Sequence, residues 1–163
     1  MSAMTSGVGA EHAGAGVRGA AVAAAGGLLA AGALHVVWVF SPWPLRSRAE
    51  FAAVVVGVEE ARLPSGPLTL AVAGALGAAA GLVATAARPP GRFGAGRPVR
   101  AGLWAVSGTL AARGLGGLAA SGLALGSKPA EFRRWDLRLY SPLCVALGGL
   151  SGYVALRTRR RRA

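Results

Sequence analysis

Charged residues and cysteine are both scarce in this chain. Only 15% of its 163 residues are charged, whereas a soluble domain has about 25% charged residues. Together with a mean hydropathy of +0.50, this shortage argues against a soluble domain and for a protein in lipid. Cys144 is the only cysteine, which excludes an intramolecular disulfide and a two-cysteine redox relay.

Metal, cofactor and nucleic acid are not predicted as ligands. The two histidines, His12 and His35, have no Cys or carboxylate at ligand spacing, so no metal site is predicted. The chain contains no P-loop and no G-x-S-x-G elbow, and no cofactor or reaction is assigned. A net charge of +12 is typical of nucleic-acid-binding proteins. Here, however, many Lys and Arg residues flank apolar runs, as in membrane proteins.

Four apolar runs predict an all-α fold, a four-span transmembrane helix bundle in the cell membrane. Runs of about 20 residues can cross the hydrocarbon core of a bilayer, which is ~30 Å thick. The spans are predicted at 19–40, 67–87, 102–125 and 141–156. Ser141 and Pro142 resemble the N-cap and first turn of the fourth span. Segment 51–58 is apolar but too short to span, so it is either an interfacial helix or a loop element packed over the bundle.

The predicted domain organisation has three parts. Residues 1–18 are small and without pattern, and are predicted to be a disordered tail. Residues 19–156 form the membrane domain, and residues 157–163 form a basic cytoplasmic tail. The tails and the link between spans two and three carry ten Lys and Arg residues, against seven on the other side. Because positive residues stay inside, both termini are predicted to be cytoplasmic.

Glycine pairs predict close contacts between the helices. Gly77 and Gly81 form a small-xxx-small pair in the second span, and Gly148 and Gly152 form one in the fourth. In a bilayer such pairs let helix backbones approach each other. They are compatible with a homo-oligomer but do not specify one.

Arg113 is the most informative polar residue, because it lies near the middle of the third span. A central arginine costs about 2.5 to 3.5 kcal/mol on insertion scales, so it should face the bundle and find acceptors there. The acceptors expected are His35, Asp136 and Tyr140. Trp38 shares a helix face with His35. These five residues form the predicted polar cluster.

The same residues carry a resemblance to a known family. His35-x-x-Trp38, Leu110-Ala-Ala-Arg113-Gly114 and the run FRRWDLRLYSPLC from Phe132 to Cys144 resemble the bacterial integral-membrane family catalogued as domain of unknown function 3995. The resemblance covers roughly residues 20–156. Family members often carry an acid just after the Arg-Gly pair, where this chain has Leu115 and Gly116. The resemblance implies a small multi-pass membrane protein of unassigned activity and transfers no mechanism.

Two functions are weighed on these grounds. In the first, the protein has no reaction, and the polar cluster fixes the register of the helices. In the second, the cluster lines an outward-open site for a small molecule or a lipid head group, in a binding protein or an enzyme. Arg113 would then bind an anion and His35 would exchange a proton. The bilayer is the expected partner in both.

Overall fold

Most of the chain that the structure describes is helical. This computed structural model describes residues 3–86 and 96–160, and these contain no strand. The α-helices are α1 (Ala3–Phe40), α2 (Arg48–Phe51), α3 (Gly66–Ala86), α4 (Arg97–Gly122), α5 (Ala130–Trp135) and α6 (Ser141–Arg160). Two π-helical turns follow α2 and α5: the first π-turn is Ala52–Val56 and the second is Asp136–Tyr140. A 3-10 turn, Glu60–Arg62, precedes α3.

Three helical segments are long and apolar enough to cross a membrane: Gly14–Phe40, Gly66–Ala86 and Ala130–Thr158. Many of their large apolar side chains are exposed, including Val22, Leu29 and Leu70. Outward apolar side chains are what helices in contact with lipid present. Helix α4 has sufficient length but is not among the three, because glycines and Arg113 lower its hydropathy.

Helix α1 begins well before the predicted first span. The segment 1–18 was predicted as a disordered tail, but α1 starts at Ala3 and runs without a break to Phe40; residues 1–2 lie outside the described part. Alanine favours a helix, and contacts hold this extension in place. Val17 is buried, and a Cβ on Gly16 would lie 3.6 Å from the Tyr153 hydroxyl.

The predicted polar link before the fourth span is also helical. Helix α5, the second π-turn and α6 form one continuous segment, so Ser141 lies inside a helix and the predicted N-cap is wrong. Proline inside a helix removes a hydrogen bond and clashes with the carbonyl four residues earlier. Pro142 lies two residues after the π-turn, so the carbonyl four residues earlier, that of Arg138, belongs to this wider turn. At its other end, α6 continues past residue 156 to Arg160, and 161–163 lie outside the described residues.

The two middle helices lie close to their predicted spans. Helix α3 begins one residue before the predicted span 67–87, whose last residue is outside the described part together with most of the following link. Helix α4 begins at Arg97, before the predicted start at residue 102, with a proline in its first turn. It ends at Gly122, and the loop that follows contains Ala124 and Gly126, which both have positive φ.

The helices pack through small side chains. Helix α1 packs against α3 and α6, and α4 packs mainly against α6 and also against α3. Gly148 and Gly152 of α6 lie against Ser107 of α4, and the Ser107 hydroxyl donates a 2.8 Å hydrogen bond to the Gly148 carbonyl. Gly77 and Gly81 are not required to be glycine for packing, because a Cβ on either would meet nothing within 4 Å in the described residues, although the backbone nitrogen of Gly77 lies near Gly32 of α1.

Candidate functional site

A buried ion pair joins α4 to the second π-turn. Arg113 Nη2 lies 3.0 Å from Asp136 Oδ1, and the Asp136 side chain is only 1% exposed. Of the three acceptors expected for Arg113, Asp136 is therefore the one in contact. Its carboxylate is the counter-charge that a central arginine needs in lipid.

Two serines complete the coordination of Asp136. Ser121 Oγ donates to Asp136 Oδ2 at 2.6 Å, and Ser141 Oγ donates to Asp136 Oδ1 at 2.9 Å. Arg113 Nη1 also donates to Ser141 Oγ at 3.3 Å. We call these four residues the Asp136 cluster. The predicted site includes neither serine. For Ser121 the sequence does contain a signal, because Arg113, Gly117 and Ser121 are four residues apart and therefore lie on one helix face.

Glycine makes room for this cluster. A Cβ on Gly117 would overlap Ser141 Oγ and Arg113 Nη1 and would lie 3.0 Å from Asp136 Oδ2. A Cβ on Gly114 would lie 2.8 Å from the backbone nitrogen of Val145. The two glycines therefore let α4 approach the start of α6 closely enough for the polar side chains to meet.

An open pocket of about 460 Å³ lies beside the Asp136 cluster. Arg113 is 45% exposed and lines this pocket together with two further cations, Lys128 and Arg133. Asp136 is the only acid in the lining, so the pocket has an excess of positive charge. The apolar wall comes from Val56, Ala112, Ala120, Leu125 and Phe132, with Gly116 and Gly117. The predicted site included neither Lys128 nor Arg133, and no local pattern distinguishes them from other loop cations.

His35 and Trp38 have different neighbours. His35 Nδ1 donates to the Ala31 carbonyl at 2.8 Å, and its ring lies 5.0 Å from the Trp38 ring between centroids. The Trp38 ring is tilted against the Phe51 ring, with 5.3 Å between the ring centroids, and Trp38 Nε1 donates a hydrogen bond to the Trp43 carbonyl. Within the described residues, neither side chain has a hydrogen bond to the Asp136 cluster. Trp38 instead attaches the connection after α1 to that helix, and His35 contacts Trp38.

Tyr140 also faces this connection. Its hydroxyl donates a long hydrogen bond of 3.5 Å to the Val54 carbonyl, and its ring lies 6.2 Å from the Phe132 ring. Phe132 also contacts Gly57, which has a positive φ of 72°. The helical segment formed by α2 and the first π-turn therefore packs over α5 and the second π-turn. Phe51 and Ala52 of this segment are buried.

The arrangement favours binding over proton transfer. Both carboxylate oxygens of Asp136 accept hydrogen bonds, and among the described residues no buried side-chain nitrogen or oxygen lacks a partner. A carboxylate held by three donors would have to break one of these bonds to act as a base. The Arg113 side chain, by contrast, is 45% exposed and lines the pocket, and guanidinium groups suit carboxylate and phosphate ligands.

The fold and the site define a helical protein compatible with a membrane, with a buried ion pair between two of its helices. The family described as "Protein of unknown function (DUF3995)" matches residues 28–151, and the chain belongs to this family. The match includes the Asp136 cluster and confirms the resemblance inferred from the sequence motifs. The chain has no match among curated proteins and none among solved structures.

Proposed function

We propose that this protein is a four-span membrane protein whose outward-open pocket binds an anionic small molecule or an anionic lipid head group through Arg113. One observation carries the proposal. The acid of the ion pair is fully buried, whereas the arginine is 45% exposed at a pocket that holds two further cations. The buried acid holds the guanidinium in place, and its exposed part can bind a ligand.

Helix α4 is the fourth span in this proposal. An arginine at the centre of a helix raises the free energy of membrane insertion by about 2.5 to 3.5 kcal/mol, and each leucine lowers it by on the order of 0.5 kcal/mol. Helix α4 contains Leu103, Leu110, Leu115 and Leu118, which together favour insertion by about 2 kcal/mol and leave a cost of about 0.5 to 1.5 kcal/mol. The contact of Arg113 with Asp136 adds to these terms.

The same proposal places both termini and the link between α3 and α4 in the cytoplasm. The excess of Lys and Arg in these segments supports this orientation. Single cysteines in a Cys144→Ser background would test it. A membrane-impermeant maleimide should label Ser127→Cys in intact cells, and should label Ala163→Cys only after permeabilisation. Labelling of Ala163→Cys in intact cells would contradict the orientation.

Ligand binding is tested by comparing two arginine variants. Arg113→Gln removes one positive charge from the pocket, and Arg134→Gln removes an exposed charge that pairs with Glu131 and lies outside the pocket. Anionic compounds that copurify with the wild-type protein should be lost from Arg113→Gln and kept by Arg134→Gln, as measured by mass spectrometry of solvent extracts. If both variants keep the same compounds as the wild type, the binding proposal is wrong.

A purely structural cluster is the second candidate function. It is supported by the complete hydrogen bonding of Asp136, whose partners come from α4 and α6. Buried polar networks can define a unique packing of helices. The double variant Arg113→Leu, Asp136→Leu separates the two candidates. If the folded double variant keeps the anionic compounds that copurify with the wild type, the cluster has a structural role. If the folded double variant loses them, the pocket is supported.

A further inference from the structure

A second basic pocket, of about 440 Å³, lies between the start of α4 and the end of α6. Its lining comprises Arg97, Arg100, Ala101, Trp104, Ala155 and Leu156. The four residues from α4 are spaced at three, four and seven positions, which places them on one helix face. This pocket shares no residue with the pocket beside Asp136.

The residues that line this second pocket include two arginines and no acid. Residues 61–130 contain no Asp or Glu, and neither do residues 137–163. This holds for the whole link before α4, so that link supplies no carboxylate to Arg97 or Arg100. Arg157 lies close by on α6, 5.2 Å from the centre of the Tyr153 ring, and adds to the positive charge at this end of the helices.

The remaining lining suits the boundary between head groups and acyl chains. Trp104 is 46% exposed, and tryptophan is enriched at this level of a bilayer because its ring is apolar and its N–H is polar. Ala101, Ala155 and Leu156 provide an apolar surface next to the two arginines. Basic pockets between membrane helices on the cytoplasmic side are a recognised type of lipid head-group site.

We propose that the pocket formed by Arg97, Arg100 and Trp104 binds the phosphate of an anionic lipid head group. The two guanidinium groups bind the phosphate oxygens, because arginine forms paired hydrogen bonds with such groups. The glycerol and the first part of the acyl chains lie against Trp104 and Leu156. A soluble phosphate would gain nothing from this apolar surface, so the lipid is the favoured source of the phosphate.

Native mass spectrometry of the full chain in detergent tests this site. The probes are dioctanoyl phosphatidylglycerol, dioctanoyl phosphatidylcholine and inorganic phosphate. The wild-type protein should retain phosphatidylglycerol in preference to phosphatidylcholine, and millimolar inorganic phosphate should not displace it. Arg97→Gln with Arg100→Gln should weaken phosphatidylglycerol binding about 30-fold, taking about 1 kcal/mol for each arginine near a lipid surface.

The matched control is Arg46→Gln with Arg48→Gln, which removes the same charge from exposed positions outside this pocket. It should leave phosphatidylglycerol binding within about twofold of the wild type, since neither residue contacts the site. Equal losses in the two double variants, or displacement of the lipid by inorganic phosphate, would overturn the proposal.

A second measurement does not depend on these variants being folded. In a protein whose only tryptophan is Trp104, brominated phosphatidylglycerol should quench the fluorescence more strongly than brominated phosphatidylcholine at the same mole fraction. Equal quenching by the two lipids would mean that the site does not select an anionic head group, and would refute the proposal.

Discussion

Replacement of Gly117 by alanine should destabilise the protein, although alanine is the better helix former. The new methyl group would overlap Ser141 Oγ and Arg113 Nη1 and approach Asp136 Oδ2. Overpacking of this kind costs about 1 to 3 kcal/mol, and loss of one donor to a buried carboxylate costs about 1 to 3 kcal/mol more. Higher helix propensity offsets up to about 1 kcal/mol. We expect a net loss of about 3 kcal/mol in the free energy of unfolding.

Gly108→Ala is the matched control for this prediction. Gly108 lies in the same helix, but a Cβ there would meet nothing within 4 Å in the described residues. Its substitution should therefore leave stability unchanged or raise it slightly. Reversible unfolding in mixed dodecylmaltoside and dodecyl sulfate micelles, followed by circular dichroism, would measure both variants. The reasoning fails if Gly117→Ala is as stable as Gly108→Ala within about 0.5 kcal/mol.

Three further predictions use the same unfolding assay. Asp136→Ala should cost about 2 to 5 kcal/mol, because it leaves the buried Ser121 and Ser141 hydroxyls without their acceptor and Arg113 without its ion-pair partner. Glu131→Ala, which breaks an exposed pair, should cost under about 1 kcal/mol, and similar losses in the two variants would contradict this. Gly148→Ala should cost about 1 to 3 kcal/mol, because its Cβ would lie 3.1 Å from backbone atoms of α4. Gly149→Ala, which faces open space, is the control, and equal stability of the two variants would refute this explanation. Tyr140→Phe should change stability by no more than about 0.5 kcal/mol, since its hydrogen bond is 3.5 Å long; a larger loss would show that this contact is stronger than its geometry indicates.

The positions of the glycines illustrate why one prediction about packing succeeded and another failed. The pairs Gly77/Gly81 and Gly148/Gly152 look alike in the sequence. Only at the second pair would an added Cβ meet a neighbouring helix within the described residues; the backbone nitrogen of Gly77 lies near Gly32 of α1, but its own Cβ position is open. Which face of a helix is covered depends on its rotation relative to its neighbours, and a small-xxx-small pattern does not encode that rotation.

The start of α6 shows a second limit of local patterns. Ser141 before Pro142 has the signature of a helix N-cap. In the structure the helix continues through both residues by widening into the second π-turn, and the serine hydroxyl donates to Asp136. A π-turn relieves the steric conflict at the proline, but its position follows from contacts with α4 that lie far away in the chain.

Composition and residue spacing are enough to predict that the protein is helical, that several of its segments are apolar enough for a membrane, and that Arg113 needs a partner. These properties depend on runs of neighbouring residues. Only the tertiary structure decided that the partner is Asp136 rather than His35 or Tyr140, and that two serines and Gly117 complete its surroundings. That choice depends on how α4 is rotated against α6 and on one π-turn, and both are set by packing between distant parts of the chain.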